Sequence, residues 1–353
     1  MPSSRHLRPA LLLALTLLCP ALSRGEDDLT KKRWAAWQLY GENDALALLS
    51  GSDEYYTNGL RFAWVRNPIV VPNPDWTRDF VDWWCRSGPC PSAQADIAYG
   101  HALGHNFYTP ETISDPLPRP HDRPWAGYLY FSWLLQVTHP TDPDWRLDRP
   151  VQNLFDLQVG VVGPAAGAET VQREFHRLIG DELPQGWDNQ IDNEPTLNLV
   201  YLWRKKIGGS TVDIVPHWGA ALGNVTTFVN AGATLRLGRN ISSFPQLQIT
   251  PANASLTQPP PTKTEVFLFV GADGRAVANN IFLDGNTFRD GPAISIDRNH
   301  FVYDLRAGFA ARYKGWRFDY SFVRRSEEFE PPPGRENGLH DFGSFTITRT
   351  LWR

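Results

Sequence analysis

Residues 301–323 carry the clearest pattern in the chain. Phe301, Tyr303, Leu305, Ala307, Phe309, Ala311 and Tyr313 alternate with Val302, Asp304, Arg306, Gly308, Ala310 and Arg312. After Lys314-Gly315, Trp316, Phe318, Tyr320 and Phe322 alternate with Arg317, Asp319, Ser321 and Val323. A period of two marks a strand with unlike faces. A two-residue turn at Lys314-Gly315 pairs Tyr313 with Trp316 and Ala311 with Phe318. The predicted hairpin is greasy on one face and charged on the other. A second predicted hairpin runs through Leu199, Tyr201 and Trp203 to a turn at Gly208-Gly209, then back through Val212, Ile214 and Trp218. In that register Trp203 faces Ile214 and Leu199 faces Trp218. Further strands are expected near residues 35–43, 57–66, 95–103, 126–138, 153–162, 228–238, 264–272, 276–283 and 343–352, about a dozen in all.

Alternation alone fits a sandwich with buried aromatic faces as well as a barrel. A closed barrel leaves no edge, and in a bilayer it satisfies every backbone group. Long hairpins with an aromatic outer set and a polar inner set favour an all-β fold, a closed antiparallel transmembrane β-barrel. Residues 67–94 and 240–262, rich in Pro, Asn and Ser, suit surface loops on one rim, with tight turns at the other. No repeat or linker divides the chain.

The first 23 residues read as an export signal. Arg5, His6 and Arg8 precede the apolar run Ala10 to Leu18, and Ala21-Leu22-Ser23 supplies small residues at a cleavage site. Cys19 raises a lipoprotein alternative, but Leu18 occupies a position that needs a small residue. Residues 24–353 then form a single barrel domain. The net charge of −4 becomes −6 once Arg5 and Arg8 are removed, which excludes a polybasic nucleic-acid binder. The 14 Trp, 19 Phe and 11 Tyr suit aromatic strand surfaces. No later apolar run is long enough for a transmembrane helix. Cys85 and Cys90 flank Arg-Ser-Gly-Pro, and an oxidising compartment allows a loop disulfide there.

Residues 168–182 break the alternation. Val171, Phe175, Leu178 and Ile179 make a helical stripe, preceded by Gly163-Pro164 and stopped at Gly180. Gln172 and His176, four apart, share another side. The plain alternative is an amphipathic surface helix with an exposed His. Glu42-Asn43-Asp44 lies near the end of the first strand, and Thr57 opens the second. Asp44 and Glu182 are hard oxygen donors suited to Ca²⁺, and His176 is a candidate base. There is no G-x-S-x-G elbow, no phosphate-binding glycine loop and no zinc-type cluster.

In order along the mature chain stand Glu42-Asn43-Asp44, Tyr56-Thr57-Asn58-Gly59, Tyr108-Thr109-Pro110 and Asp122-Arg123-Pro124-Trp125-Ala126-Gly127. Gly160-Val161-Val162-Gly163-Pro164, Gln172 with His176, Gly186-Trp187-Asp188, Gln190, Asn193-Glu194 and Phe282-Leu283-Asp284-Gly285-Asn286 follow. This ordered set resembles the outer-membrane lipid A 3′-O-deacylases of Gram-negative bacteria. The resemblance implies a twelve-stranded barrel in the bacterial outer membrane, acting as a monomer among outer-membrane lipids. It also implies a calcium-dependent esterase that removes the 3′-linked acyloxyacyl group of lipid A, the anchor of lipopolysaccharide. On that resemblance His176 is the base, and Asn43, Asp44, Thr57, Gln172 and Glu182 complete the site. Asp44 is a metal ligand, and Glu182 is either a second ligand or the group that orients His176. The helix from 168 lies against the outer wall, so the site meets lipid. One departure stands out: Glu111-Thr112-Ile113-Ser114-Asp115 replaces the family's basic pair, leaving Arg119 and Arg123 as candidates to hold phosphate. The competing functions are a pore or structural barrel, an esterase for another outer-membrane lipid, and a soluble periplasmic binding protein.

Overall fold

The computed structural model describes residues 34–47, 58–67, 96–139, 150–247, 264–289, 294–330 and 338–352. The export signal, Thr57, Cys85 and Cys90 lie outside these residues.

Twelve long strands and one two-residue strand follow one another around a closed antiparallel barrel. They are β1 (Trp34–Asn43), β2 (Asn58–Asn67), β3 (Asp96–Tyr108), β4 (Ala126–His139), β5 (Val151–Val162), β6 (Glu194–Lys205) and β7 (Ile207–Gly208). Then come β8 (Val212–Gly223), β9 (Thr226–Arg239), β10 (Glu265–Asn280), β11 (Phe301–Tyr313), β12 (Trp316–Arg325) and β13 (His340–Trp352). Each long strand pairs with its sequence neighbour, and β1 with β13 closes the ring. Among the described residues two α-helices interrupt the strands, α1 (Ala168–Ile179) and α2 (Ile281–Asp284).

The Lys314-Gly315 hairpin has the expected register, Tyr313 opposite Trp316 and Ala311 opposite Phe318. The second hairpin differs. Trp203 faces Trp218, Leu199 faces Leu222, and Ile207 faces Ile214. Gly209 N–H donates to Val212 O at 2.9 Å, so Ser210-Thr211 makes the turn and Gly208 sits in the strand at φ 130°. The displacement is an even number of residues, so every side chain keeps its face. Residues 264–272 and 276–283 are not separate strands. β10 runs straight through Asp273-Gly274-Arg275, with the Asp and Arg side chains buried, and ends in α2.

Alternation sorts the side chains. Leu60, Phe62, Trp64, Leu197, Leu199, Val229, Leu268, Tyr303 and Phe318 are exposed on the outer wall. Buried charged groups fill the lumen and pair there. Arg61 meets Asp156 at 2.9 Å, Arg236 grips Asp213 through two hydrogen bonds, and Asp304 accepts from both Arg275 and Arg325. An apolar exterior around a polar interior is the arrangement a bilayer requires.

The loops do not divide as expected into long on one rim and tight on the other. The connections after β2 and β9 join the rim that carries the chain ends, but so do the tight turns at Ser210-Thr211 and Lys314-Gly315. The opposite rim carries α1, α2 and the β3–β4 and β12–β13 connections, beside a tight turn between β8 and β9. On the terminal rim, residues 240–247 fold inward. Arg236 donates to Ser243 O and Arg204 to Pro245 O, both at 2.7 Å, and Arg317 donates to Ser243 Oγ at 2.9 Å. Glu265 Oε1 accepts from the backbone N–H groups of Ser242 and Ser243. Leu247 joins a buried apolar cluster with Trp34, Val65, Leu134, Leu154 and Leu202. The lumen is therefore filled at that end.

Candidate active site at the outer wall

Helix α1 sits on the outside of the barrel at the rim opposite the chain ends. A short helical turn, Pro164–Ala166, leads into it from β5. Gly127 of β4 makes the seat. A Cβ placed there would stand 2.6 Å from the Ala168 Cβ, so only glycine lets the helix approach this closely. Phe107, Ile113, Trp125, Ala168 and Trp187 form a small apolar core between helix, wall and loops. Gly180, at φ 75°, ends the helix with its N–H on His176 O, three residues earlier than the 168–182 span.

The orientation of α1 is the reverse of a soluble amphipathic helix. Its polar residues Gln172 and His176 are buried, His176 being 3% exposed. Its apolar stripe faces outward: Val171, Phe175, Leu178 and Ile179 are exposed, Leu178 at 83%. The plain alternative of an exposed His is thus corrected. On a barrel in a bilayer, the greasy stripe continues the lipid-facing belt, and the polar residues turn to the protein for partners.

His176 Nδ1 lies 2.5 Å from the backbone carbonyl of Glu182. A carbonyl only accepts, so Nδ1 carries a hydrogen, and in the neutral ring Nε2 holds the lone pair. The Glu182 side chain is exposed. Of the two roles considered for Glu182, the contact formed is the orienting one, and the main chain makes it. One helical turn away, Gln172 Oε1 accepts from Trp187 Nε1 at 2.8 Å. Gln172 Nε2 is buried without a partner among the described residues.

Asn43 and Asp44 stand on the same rim. Strand register places Asn43 one residue beyond the Glu42–Gly59 pair and therefore level with Asn58. Asn58 pairs with Phe107, and Phe107 with Gly127. One row across the outer wall thus runs from Asn43 to the seat of α1, on the order of 15 Å over three strand spacings. Asp44 follows in a short helical turn and is wholly buried. Among the described residues no three His, Cys, Asp or Glu side chains form a metal-holding group. The wholly buried Asp44 carboxylate and the neighbouring Asn43 amide are the oxygen donors at the head of β1 that suit Ca²⁺.

Of the two arginines considered for phosphate, Arg123 is unsuited. It is buried over the Tyr108 ring, 5.0 Å from its centroid, with Glu328 at 3.8 Å. Arg119 is partly exposed and pairs with Asp115 at 3.1 Å. The Leu117 N–H and the Arg119 guanidinium hold the Asp115 carboxyl below its ordinary range. Asp122 lies in the same connection, and burial pushes its carboxyl up against hydrogen bonds from the Glu111 and Arg123 N–H groups. Asn193, Glu194 and Asn286 prove to be scaffolding. Asn286 exchanges two hydrogen bonds with the Asp192 main chain, Glu194 accepts from Thr287 N–H, and Asn193 accepts from Ala165 N–H.

The sequence model of a family described as outer membrane protein LpxR matches residues 10–351. The chain belongs to the LpxR family. Like the family, it is an outer-membrane protein. Among solved structures, LpxR from Salmonella typhimurium superposes with a TM-score of 0.66 at 20% identity, covering 89% of this chain and 99% of that one. The β-domain of the Bordetella autotransporter BrkA gives a TM-score of 0.41 at 9% identity, covering 91% and 99%. No curated protein matches the sequence. The likeness to the Salmonella LpxR barrel bears on the fold, while the chemistry rests on the residues of this chain.

Proposed function

We propose that this chain is a calcium-dependent lipid A deacylase that hydrolyses the 3′-linked acyloxyacyl ester in the outer leaflet. Membership of the LpxR family supports the substrate class. The observation that carries the chemistry is the buried pair Gln172 and His176 on a helix whose apolar stripe is exposed on the outside of the barrel. An ester in the leaflet reaches such a site from the membrane side.

Glu182 O holds the Nδ1–H of His176, so Nε2 takes a proton from water. The water oxygen bonds to the ester carbonyl carbon, and the carbonyl oxygen gains negative charge. The free N–H groups of Gln172 Nε2 are suited to donate to that oxygen. The bond from carbonyl carbon to sugar oxygen then breaks, and His176 returns its proton to the sugar oxygen. The products are a carboxylic acid and a free sugar hydroxyl. Asp44, with Asn43 beside it, would hold calcium, whose charge would stabilise the same oxyanion, while Glu182 orients His176 through its main chain and Thr57 completes the site.

The test is a mass spectrum of lipid A from bacteria expressing the chain. Loss of one acyloxyacyl group is expected with the unaltered chain and not with His176→Ala. With purified barrel, a calcium chelator should stop the reaction and added calcium restore it. An unaltered spectrum from folded barrel in the outer membrane would overturn the deacylase reading. Full activity in chelator would overturn the calcium requirement alone.

A further inference from the structure

Gln172 is useful to an ester hydrolase only if its amide points the right way. Its oxygen and nitrogen ends are nearly the same shape, and a flip would present an acceptor to the oxyanion. Something must hold the orientation, and α1 itself supplies no such contact.

The indole of Trp187 meets that need. Indole Nε1–H is a donor only, so the Gln172 atom 2.8 Å from it must be the oxygen. Trp187 is itself immobilised. It is 1% exposed in the short turn Trp187–Asn189, and its ring packs on Trp125 with centroids 5.0 Å apart. Gly186 lets the turn close on that ring, since a Cβ there would lie 2.6 Å from Trp125 Nε1. Ile191 N–H, just beyond the turn, donates to Trp125 O at 3.0 Å. The fixed indole faces one end of the amide, and the other end, Nε2, is left buried without a partner among the described residues, on the helix face that carries His176 one turn away.

We infer that Trp187 is a positioning residue: its indole N–H fixes the Gln172 amide so that the NH₂ end, not the carbonyl, faces the substrate. The inference rests on the deacylase reading. It ties the Gly186-Trp187-Asp188 element to the chemistry, although Trp187 itself need not touch substrate.

The experiment uses purified full-length barrel in detergent with lipid A and calcium, and measures kcat and KM separately. Trp187→Phe keeps a ring against Trp125 and removes the N–H. It should lower kcat about tenfold, the effect of one neutral hydrogen bond, with KM unchanged. Gln172→Ala should lower kcat about a hundredfold, as for loss of one oxyanion donor. In the Gln172→Ala background, Trp187→Phe should cause no further loss, because the amide it orients is gone. Gln172→Glu keeps an acceptor for the indole and loses the donor, so it should be as impaired as the alanine variant. Folding is checked in each variant by heat-modifiable migration. Multiplying losses in the double variant would make Trp187 a general support of the fold and overturn the inference. So would Trp187→Phe with unaltered kcat. Absence of hydrolysis in the unaltered chain would instead overturn the deacylase reading on which it rests.

Discussion

Asp304 illustrates how single residues hold this barrel together. Its carboxylate accepts from Arg275 Nη2 at 2.6 Å and from Arg325 Nε at 2.9 Å, all three being buried. Three strands, β10, β11 and β12, are joined by one side chain. Removing one member of a buried ionic group leaves its partners uncompensated. Asp304→Asn is expected to destabilise the folded barrel by about 3–5 kcal/mol. The urea midpoint of the barrel refolded in detergent would check this, and an unshifted midpoint would contradict it. The inward direction of Asp304 was legible from the alternation in 301–313. Its partners were not, because Arg275 lies 29 residues away in sequence.

Helix α1 shows the same limit at the next scale. The spacing of Val171, Phe175, Leu178 and Ile179, the opposite grouping of Gln172 and His176, and the stop at Gly180 were all readable. Which stripe is buried was not. Periodicity reports two faces without saying what each one meets, and a bilayer reverses the answer that water would give. Leu178→Asp therefore belongs to membrane access and not to the fold. A charge on the lipid-facing surface costs little near the interface, about 0–1 kcal/mol, and more with depth. Hydrolysis of lipid A in vesicles should fall for this variant, while hydrolysis of a detergent-dispersed ester stays unchanged. Equal activity in both settings would contradict a lipid-facing stripe.

At the scale of the whole molecule, the segment folded into one end of the lumen bears on whether the barrel conducts ions. Residues 240–247 are held by Arg204, Arg236, Arg317 and Glu265 from four strands, and Leu247 packs into the apolar cluster beneath. Ions would have to cross buried, mutually paired charges. In planar bilayers the unaltered chain should be electrically silent. Replacing residues 241–247 with Gly and Ser should yield channels. Steady conductance from the unaltered chain would show that the segment does not seal the barrel.

The sequence by itself determined the strand-rich class, the inward and outward faces of the strands and the position of helix α1. Those are properties of period, side-chain type and local caps, and each is set within a few neighbouring residues. The tertiary structure alone decided the register of β1 on β13 and the turn at Ser210-Thr211 in place of Gly208-Gly209. It also decided the merging of two expected strands into β10, the burial of Arg123 and the indole that orients Gln172. The reason is the same in each case. Register, partner and burial depend on what lies across the sheet or against the wall, and distant parts of the chain supply those surroundings.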